Sequence, residues 1–201
     1  DSQILGLARG GGLNLIGAVC NQLAGLGITL LIARELGRAQ LGRYAQAYAV
    51  MAILGLLSLS GLRTGMLRFV AVHRAERDPG SVRGVVRLGI ALTTGSSLLL
   101  GIGLFFAAPW LVDVVFHDER LVVPLQFVAL TLPAATLMDS ALAATQGYRT
   151  MKPYAVIGLM FEPLARLGVT ALLISRGTGL RGTMAALLVS NVVAALLAVV
   201  A

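Results

Sequence analysis

The sequence predicts an all-α protein, a polytopic bundle of six transmembrane helices, and three observations predict it. Only 12% of the 201 residues are charged and 57% are hydrophobic, against roughly 25% charged in a soluble domain. The mean hydropathy is +0.87. All but a few of the charges also lie in short breaks between apolar stretches, each long enough for the ~20 helical residues that a bilayer crossing takes. The same figures exclude disorder, a coiled coil and a disulfide-rich secreted domain. The single cysteine, Cys20, has no intrachain partner. Transmembrane strands would alternate polar and apolar residues over segments of about ten, and stretches such as ILGLLSLSGL do not.

Taken in order, residues 10–33 carry no charge and form the first expected span. Its small and polar stripe of Asn14, Gly17, Asn21 and Gly25 follows helical spacing, which suits either close helix packing or the lining of a cavity. Residues 44–62 form the second span, with Gly61 and Gly65 in a GxxxG at its end, and residues 88–112 the third. The fourth, 121–148, carries only Asp139 as a charge and contains Pro133. The fifth, 153–175, carries only Glu162 and Arg166 and contains Pro163. Residues 182–201 are uncharged and form the sixth. None of the breaks is long enough for an independent domain, so any chemistry belongs in the membrane or at its faces. The sequence starts at Asp1 and stops at Ala201 inside an apolar run, which suggests a part of a longer protein.

There are 16 basic and 9 acidic residues, a net charge of +7. In a soluble chain this would point to nucleic acid. Here the basic residues sit between spans, where they set topology, and no nucleic-acid partner is expected. One face collects Arg9, Arg63, Arg68, Arg74, Arg77, Arg83, Arg87, Arg149 and Lys152. The other collects Arg34, Arg38, Arg43, Arg120, Arg176 and Arg181. The larger set marks the cytoplasmic side, so the N-terminus is expected in the cytoplasm and the arginines between Arg63 and Arg87 against anionic lipid headgroups.

Glu162 and Arg166 are the most informative pair. Both lie near the middle of the fifth span, where each ionised group costs roughly 2.5–3.5 kcal/mol on insertion scales. Their i,i+4 spacing places them on one helical face, acid first, the favourable order. Gly158 and Thr170 extend that stripe. Such a stripe faces the bundle interior or a wet cavity, as a neutralised structural pair or as a site for a charged substrate or coupling ion. Asp139 either joins the same cavity or pairs with a nearby arginine. Pro133 and Pro163 each free a backbone carbonyl that lipid cannot satisfy, a feature of helices that line transport pathways and equally of packing kinks. There is no H-E-x-x-H, paired-cysteine metal site, P-loop or G-x-G-x-x-G at a strand–helix junction. The two histidines, His73 and His117, lie in separate breaks. Neither enzymatic activity, nor a cofactor, nor a bound metal is expected.

Four stretches carry a family resemblance. ARELGRAQLGRYAQAYAV (Ala33–Val50), with Leu36-Gly37 and Leu41-Gly42-Arg43-Tyr44, resembles the connection between the first two helices of bacterial oligosaccharide flippases. SGLRTGMLRFVA (Ser60–Ala71) resembles the end of their second helix. ALAATQGYRTMKPYAV (Ala141–Val156), with Gln146-Gly147, Arg149, Lys152 and Tyr154, resembles the approach to their fifth, and FEPLARLGVTALLI matches its style. These O-antigen-type flippases belong to the multidrug/oligosaccharidyl-lipid/polysaccharide exporter superfamily. The resemblance implies an N-terminal lobe spanning residues 1–201 of a two-lobed transporter, with the second lobe outside this chain. It implies a multi-pass protein of the bacterial inner membrane. Such a protein flips undecaprenyl-pyrophosphate-linked oligosaccharide by alternating access, as in lipopolysaccharide and other surface polysaccharide biosynthesis, using Na+ or H+ instead of ATP. In that reading Arg166 meets the anionic substrate, Glu162 or Asp139 takes the coupling cation, and Asn21 lines the cavity. Another exporter of the superfamily, for drugs or lipid II, a membrane-embedded transferase and a non-transporting scaffold are the alternatives.

Overall fold

The computed structural model describes residues 2–59, 79–147 and 152–200. The Gly61–Gly65 motif, the stretch Ser60–Ala71, His73, and the arginines Arg63, Arg68, Arg74, Arg77 and Arg149 lie outside the described residues. Among those described, every regular element is helical.

Helix α1 (Ser2–Glu35) starts well before the expected residue 10, because nothing in its first turns breaks a helix. Its end is set by Gly37, whose φ of 82° is costly for any residue with a Cβ. The Leu36 and Gly37 amides donate to Ile32 O at 2.9 and 3.1 Å, closing the last turn. The chain re-enters a helix at once as α2 (Arg38–Leu59). Helix α3 (Pro79–Leu111) likewise projects beyond the apolar run, with Pro79 at the one place where its missing N–H costs nothing. It loosens into a π-turn at Val112–Phe116. His117, left-handed at φ 55°, ends it by donating its amide to Val112 O at 2.7 Å. A 3-10 turn (Glu119–Leu121), whose Arg120 amide donates to Asp118 Oδ1 at 3.2 Å, leads into α4 (Val122–Gly147). After the second break a π-helical segment, Tyr154–Phe161, runs directly into α5 (Glu162–Ser175), and α6 (Gly179–Val200) follows.

Two expectations are refined here. Pro133 lies within a continuous α4 and does not break it. The break in the fifth span comes from the π segment, and Pro163 sits in the first turn of α5, where its ring is tolerated. Among the described residues five stretches are long and apolar enough to cross a membrane: Gly11–Glu35, Val86–Phe116, Glu119–Gln146, Tyr154–Ser175 and Gly179–Val200. Helix α2, on the expected second span, does not reach that standard among the described residues. Its first half carries Arg38, Gln40, Arg43 and Gln46, and its apolar half meets the undescribed segment at Leu59.

Packing sorts the helices. Half of the apolar window in α4 and in α6 is buried, against 22% in α1 and α3, so α4 and α6 form the centre. Two hydrophobic clusters stack along them. One joins Ile28 and Ile32 of α1, Tyr44 and Ala47 of α2, Leu104 and Ala108 of α3, and Leu125, Val128, Met184 and Leu187 of the central pair. The other, near the opposite ends, is alanine-rich: Met138, Ala141, Leu142, Ile157, Ala194, Ala195 and Ala198. Small side chains there bring helix backbones together, the packing mode that works in lipid, where apolar burial drives little association. Between the clusters lies a buried polar band of Thr131, Thr136, Glu162, Arg166, Thr170, Ser190 and Asn191. The outer surface is apolar, with Leu15, Leu23, Leu99, Phe106, Trp110 and Leu196 all more than half exposed. That surface would be an aggregation hazard in water and is the ordinary surface of a helix bundle in lipid. The chain is a multi-pass membrane protein.

Candidate functional site

The polar band is built around α5. Because the π segment ends at Phe161, Glu162 opens the regular helix and Arg166 follows one turn later. Both residues are buried, at 7% and 8% exposure, and Arg166 Nε lies 3.6 Å from Glu162 Oε1. That separation is an ion pair but too long for a hydrogen bond. Glu162 Oε1 instead accepts from Ser190 Oγ at 3.1 Å and from Asn191 Nδ2 at 3.3 Å, both on α6. The second hydrogen of the Asn191 amide is held by Leu187 O at 2.9 Å, and the single Ser190 hydroxyl proton is shared between that carbonyl and the carboxylate. The acid is therefore tied to the centre of the bundle and the base is left to face outward.

Arg166 faces α1 and α2. Its guanidinium carbon stands 5.6 Å from the ring centroid of Tyr48, within cation–π range. Tyr48 stacks on Tyr44 with centroids 6.0 Å apart and planes at 22°. Arg166 Nε has no hydrogen-bond partner among the described residues. Together with Asn21, Gln22, Gly25, Tyr44 and Tyr48, Arg166 lines a cavity of about 540 Å³ between α1 and α2. A buried cationic side chain at the wall of a cavity among membrane helices is suited to an anionic or strongly polar ligand.

The structure brings together three of the four residues singled out in the sequence. Arg166 and Asn21 line the cavity, and Glu162 stands behind Arg166. Asp139 does not line it; it is half-buried on α4 and has an interaction partner of its own. The α1 stripe divides in function. Gly17 packs so closely on the π segment that a Cβ there would meet Leu159 Cβ at 2.9 Å, whereas Asn21 and Gly25 face the cavity. Sequence reasoning missed Ser190 and Asn191, although a Ser-Asn pair in mid-span was a visible signal, since such groups need partners in lipid. It also took Tyr44 as a motif residue only and passed over Tyr48.

Among the described residues no group of acidic, histidine or cysteine side chains is arranged to hold a metal ion. A family model described as polysaccharide biosynthesis protein matches residues 7–201. No curated protein and no solved structure matches the chain.

Proposed function

The chain belongs to the polysaccharide biosynthesis protein family, and on that premise we propose that it carries undecaprenyl-pyrophosphate-linked oligosaccharide repeat units across the bacterial inner membrane. The observation that supports this reading is Arg166. It is a buried cation on the wall of a cavity of about 540 Å³, and a pyrophosphate or an acidic sugar offers matching acceptors. Tyr44, Tyr48, Asn21 and Gln22 surround it. Aromatic faces with amide and hydroxyl groups suit a sugar, whose ring has apolar faces and a polar rim.

In the proposed mechanism this chain forms one lobe of a two-lobed transporter, and the cavity opens alternately to the two leaflets. The protein performs no bond-making chemistry and uses no cofactor. Binding of the anionic headgroup neutralises Arg166, which removes the electrostatic cost of moving both through the low-dielectric centre. Glu162, held by Ser190 and Asn191, keeps Arg166 extended toward the cavity while it is empty. A coupling Na+ or H+ that binds a carboxylate, Glu162 or Asp139, would unmask the charge of Arg166 and favour capture of the anionic headgroup, and its departure would favour release. The N-terminus is placed in the cytoplasm, following the distribution of basic residues between the two faces.

Two measurements test the reading. The full-length protein carrying Arg166→Ala, expressed in a deletion strain and shown to insert normally, should fail to restore surface polysaccharide. Restoration at the wild-type level removes Arg166 from the substrate site. A topology reporter fused near Gly80 should read as cytoplasmic, and a periplasmic reading reverses the orientation.

A further inference from the structure

A second cavity, of about 510 Å³, lies at the end of the bundle where α1 meets α2, α3 meets α4 and α5 meets α6. It is lined by three arginines from three separate places: Arg43 in the second turn of α2, Arg120 in the 3-10 turn, and Arg181 in the first turn of α6. It shares no residue with the cavity at Arg166. Arg43 is held in place by Asp118, its Nε donating to Oδ2 at 2.7 Å. The same carboxylate accepts from the Arg120 amide, so one acid fixes both the first arginine and the turn that carries the second. Among the described residues neither the Arg120 nor the Arg181 side chain has an ion-pair partner, and Glu119 is the one acid on the wall. The start of α6 adds partial positive charge. Its first-turn residues Gly179, Leu180 and Arg181 line the cavity, and a helix leaves its first amides without partners. The Thr178 hydroxyl, just before that start, donates to Leu173 O at 2.6 Å.

We propose that this rim cavity binds a phosphate group. Two exposed arginine side chains without ion-pair partners, a third held by Asp118, and the start of α6 match the several oxygens and the charge of a phosphate mono- or diester. Its place at the helix ends is the depth at which lipid phosphates lie, and a soluble phosphate could also reach it. The proposal does not depend on the transport reading, because none of its residues belongs to the Arg166 site.

The test uses the full-length protein in neutral detergent, wild type against Arg120→Gln/Arg181→Gln, with Arg176→Gln as a surface-charge control. Retained lipid is counted by native mass spectrometry after doping with phosphatidylglycerol or phosphatidylcholine. In parallel, thermal protection by inorganic phosphate is followed against chloride at equal ionic strength. Wild type and Arg176→Gln should retain phosphatidylglycerol at least about five-fold better than the double variant, and protection by inorganic phosphate alone identifies a soluble ligand as the source. Equal retention and equal protection in wild type and double variant overturn the proposal. If the double variant does not fold, Arg181→Lys decides: it keeps the charge and loses the bidentate geometry. Weakened binding supports the site, and binding unchanged from wild type with both probes overturns it.

Discussion

Two arginine–carboxylate pairs among the described residues are built at different depths. Arg166 and Glu162 sit in the middle of the bundle with side chains 9% exposed and 3.6 Å apart. Arg43 and Asp118 sit at its end, 14% and 35% exposed and only 2.7 Å apart. The shorter contact is the cheaper one to lose. At the rim, water replaces whatever a partner withdraws, and exposed pairs contribute little. In the interior nothing replaces it, so the geometry of the longer pair is secured by Ser190, Asn191 and the Tyr48 ring instead of by contact distance. Distance alone is thus a poor guide to importance; the number of groups organised around each charge is a better one.

The contrast can be broken most severely at Glu162. Glu162→Ala leaves Arg166 buried without its counter-charge and should destabilise the protein by about 3–5 kcal/mol, read as a loss of folded, monodisperse protein in detergent melts. An unchanged melt would mean that the cavity is wet enough to solvate the arginine by itself. The next effect is expected at Asn191. Asn191→Leu removes a donor from the buried carboxylate while preserving bulk, and should cost about 1–3 kcal/mol, measured in the same melts. Tyr48→Leu should cost only about 0.5–1 kcal/mol, because its ring is partly exposed and the cation–π contact is correspondingly weak. Its larger consequence should be weaker substrate binding in reconstituted vesicles.

The smallest effect is expected at the rim, and it depends on pH. The bond from Arg43 holds the Asp118 carboxyl below its ordinary value of 3.8. A lowered folded-state value contributes stability above the unfolded value and loses it as pH falls through the folded one. Wild type and Asp118→Asn should therefore differ slightly in melting temperature near neutral pH and converge below about pH 4. A difference that grows on acidification would contradict the assignment.

The sequence made the central pair legible because the bilayer penalises isolated charges, so Glu162 and Arg166 stand out against an otherwise uncharged run. The helical class was legible for the same reason. The π segment was not, because Tyr154–Phe161 is uniformly apolar and nothing in its composition separates a π from an α repeat. Pro163 drew attention to the right place for the wrong cause. Tyr48 was hidden because its partner, Arg166, is far away in the chain and on another helix. The rim cavity was concealed by the topology count, which treats Arg43, Arg120 and Arg181 as interchangeable charges on one face, whereas the fold gathers these three around one space and leaves Arg176 outside it.

The π segment has one more consequence. In an α-helix each residue turns the chain by about 100°, so the direction in which Arg166 points is decided by how many residues lie between the start of the helix and position 166. A segment wound with i→i+5 bonds stores a surplus residue at that point. Inserting one alanine after Leu164, in the regular helix where no such slack exists, turns everything on one side of it by about 100° relative to the other. Arg166 then points away from Tyr48 while every side chain that touches it is still encoded. Such an insertion should abolish transport with the helix content unchanged by circular dichroism, whereas deleting Gly158, which removes the surplus residue of the π segment and keeps its flanks in phase, should leave transport intact. The aim of the central arginine is thus a matter of phase, written in the length of an apolar stretch and not in its letters.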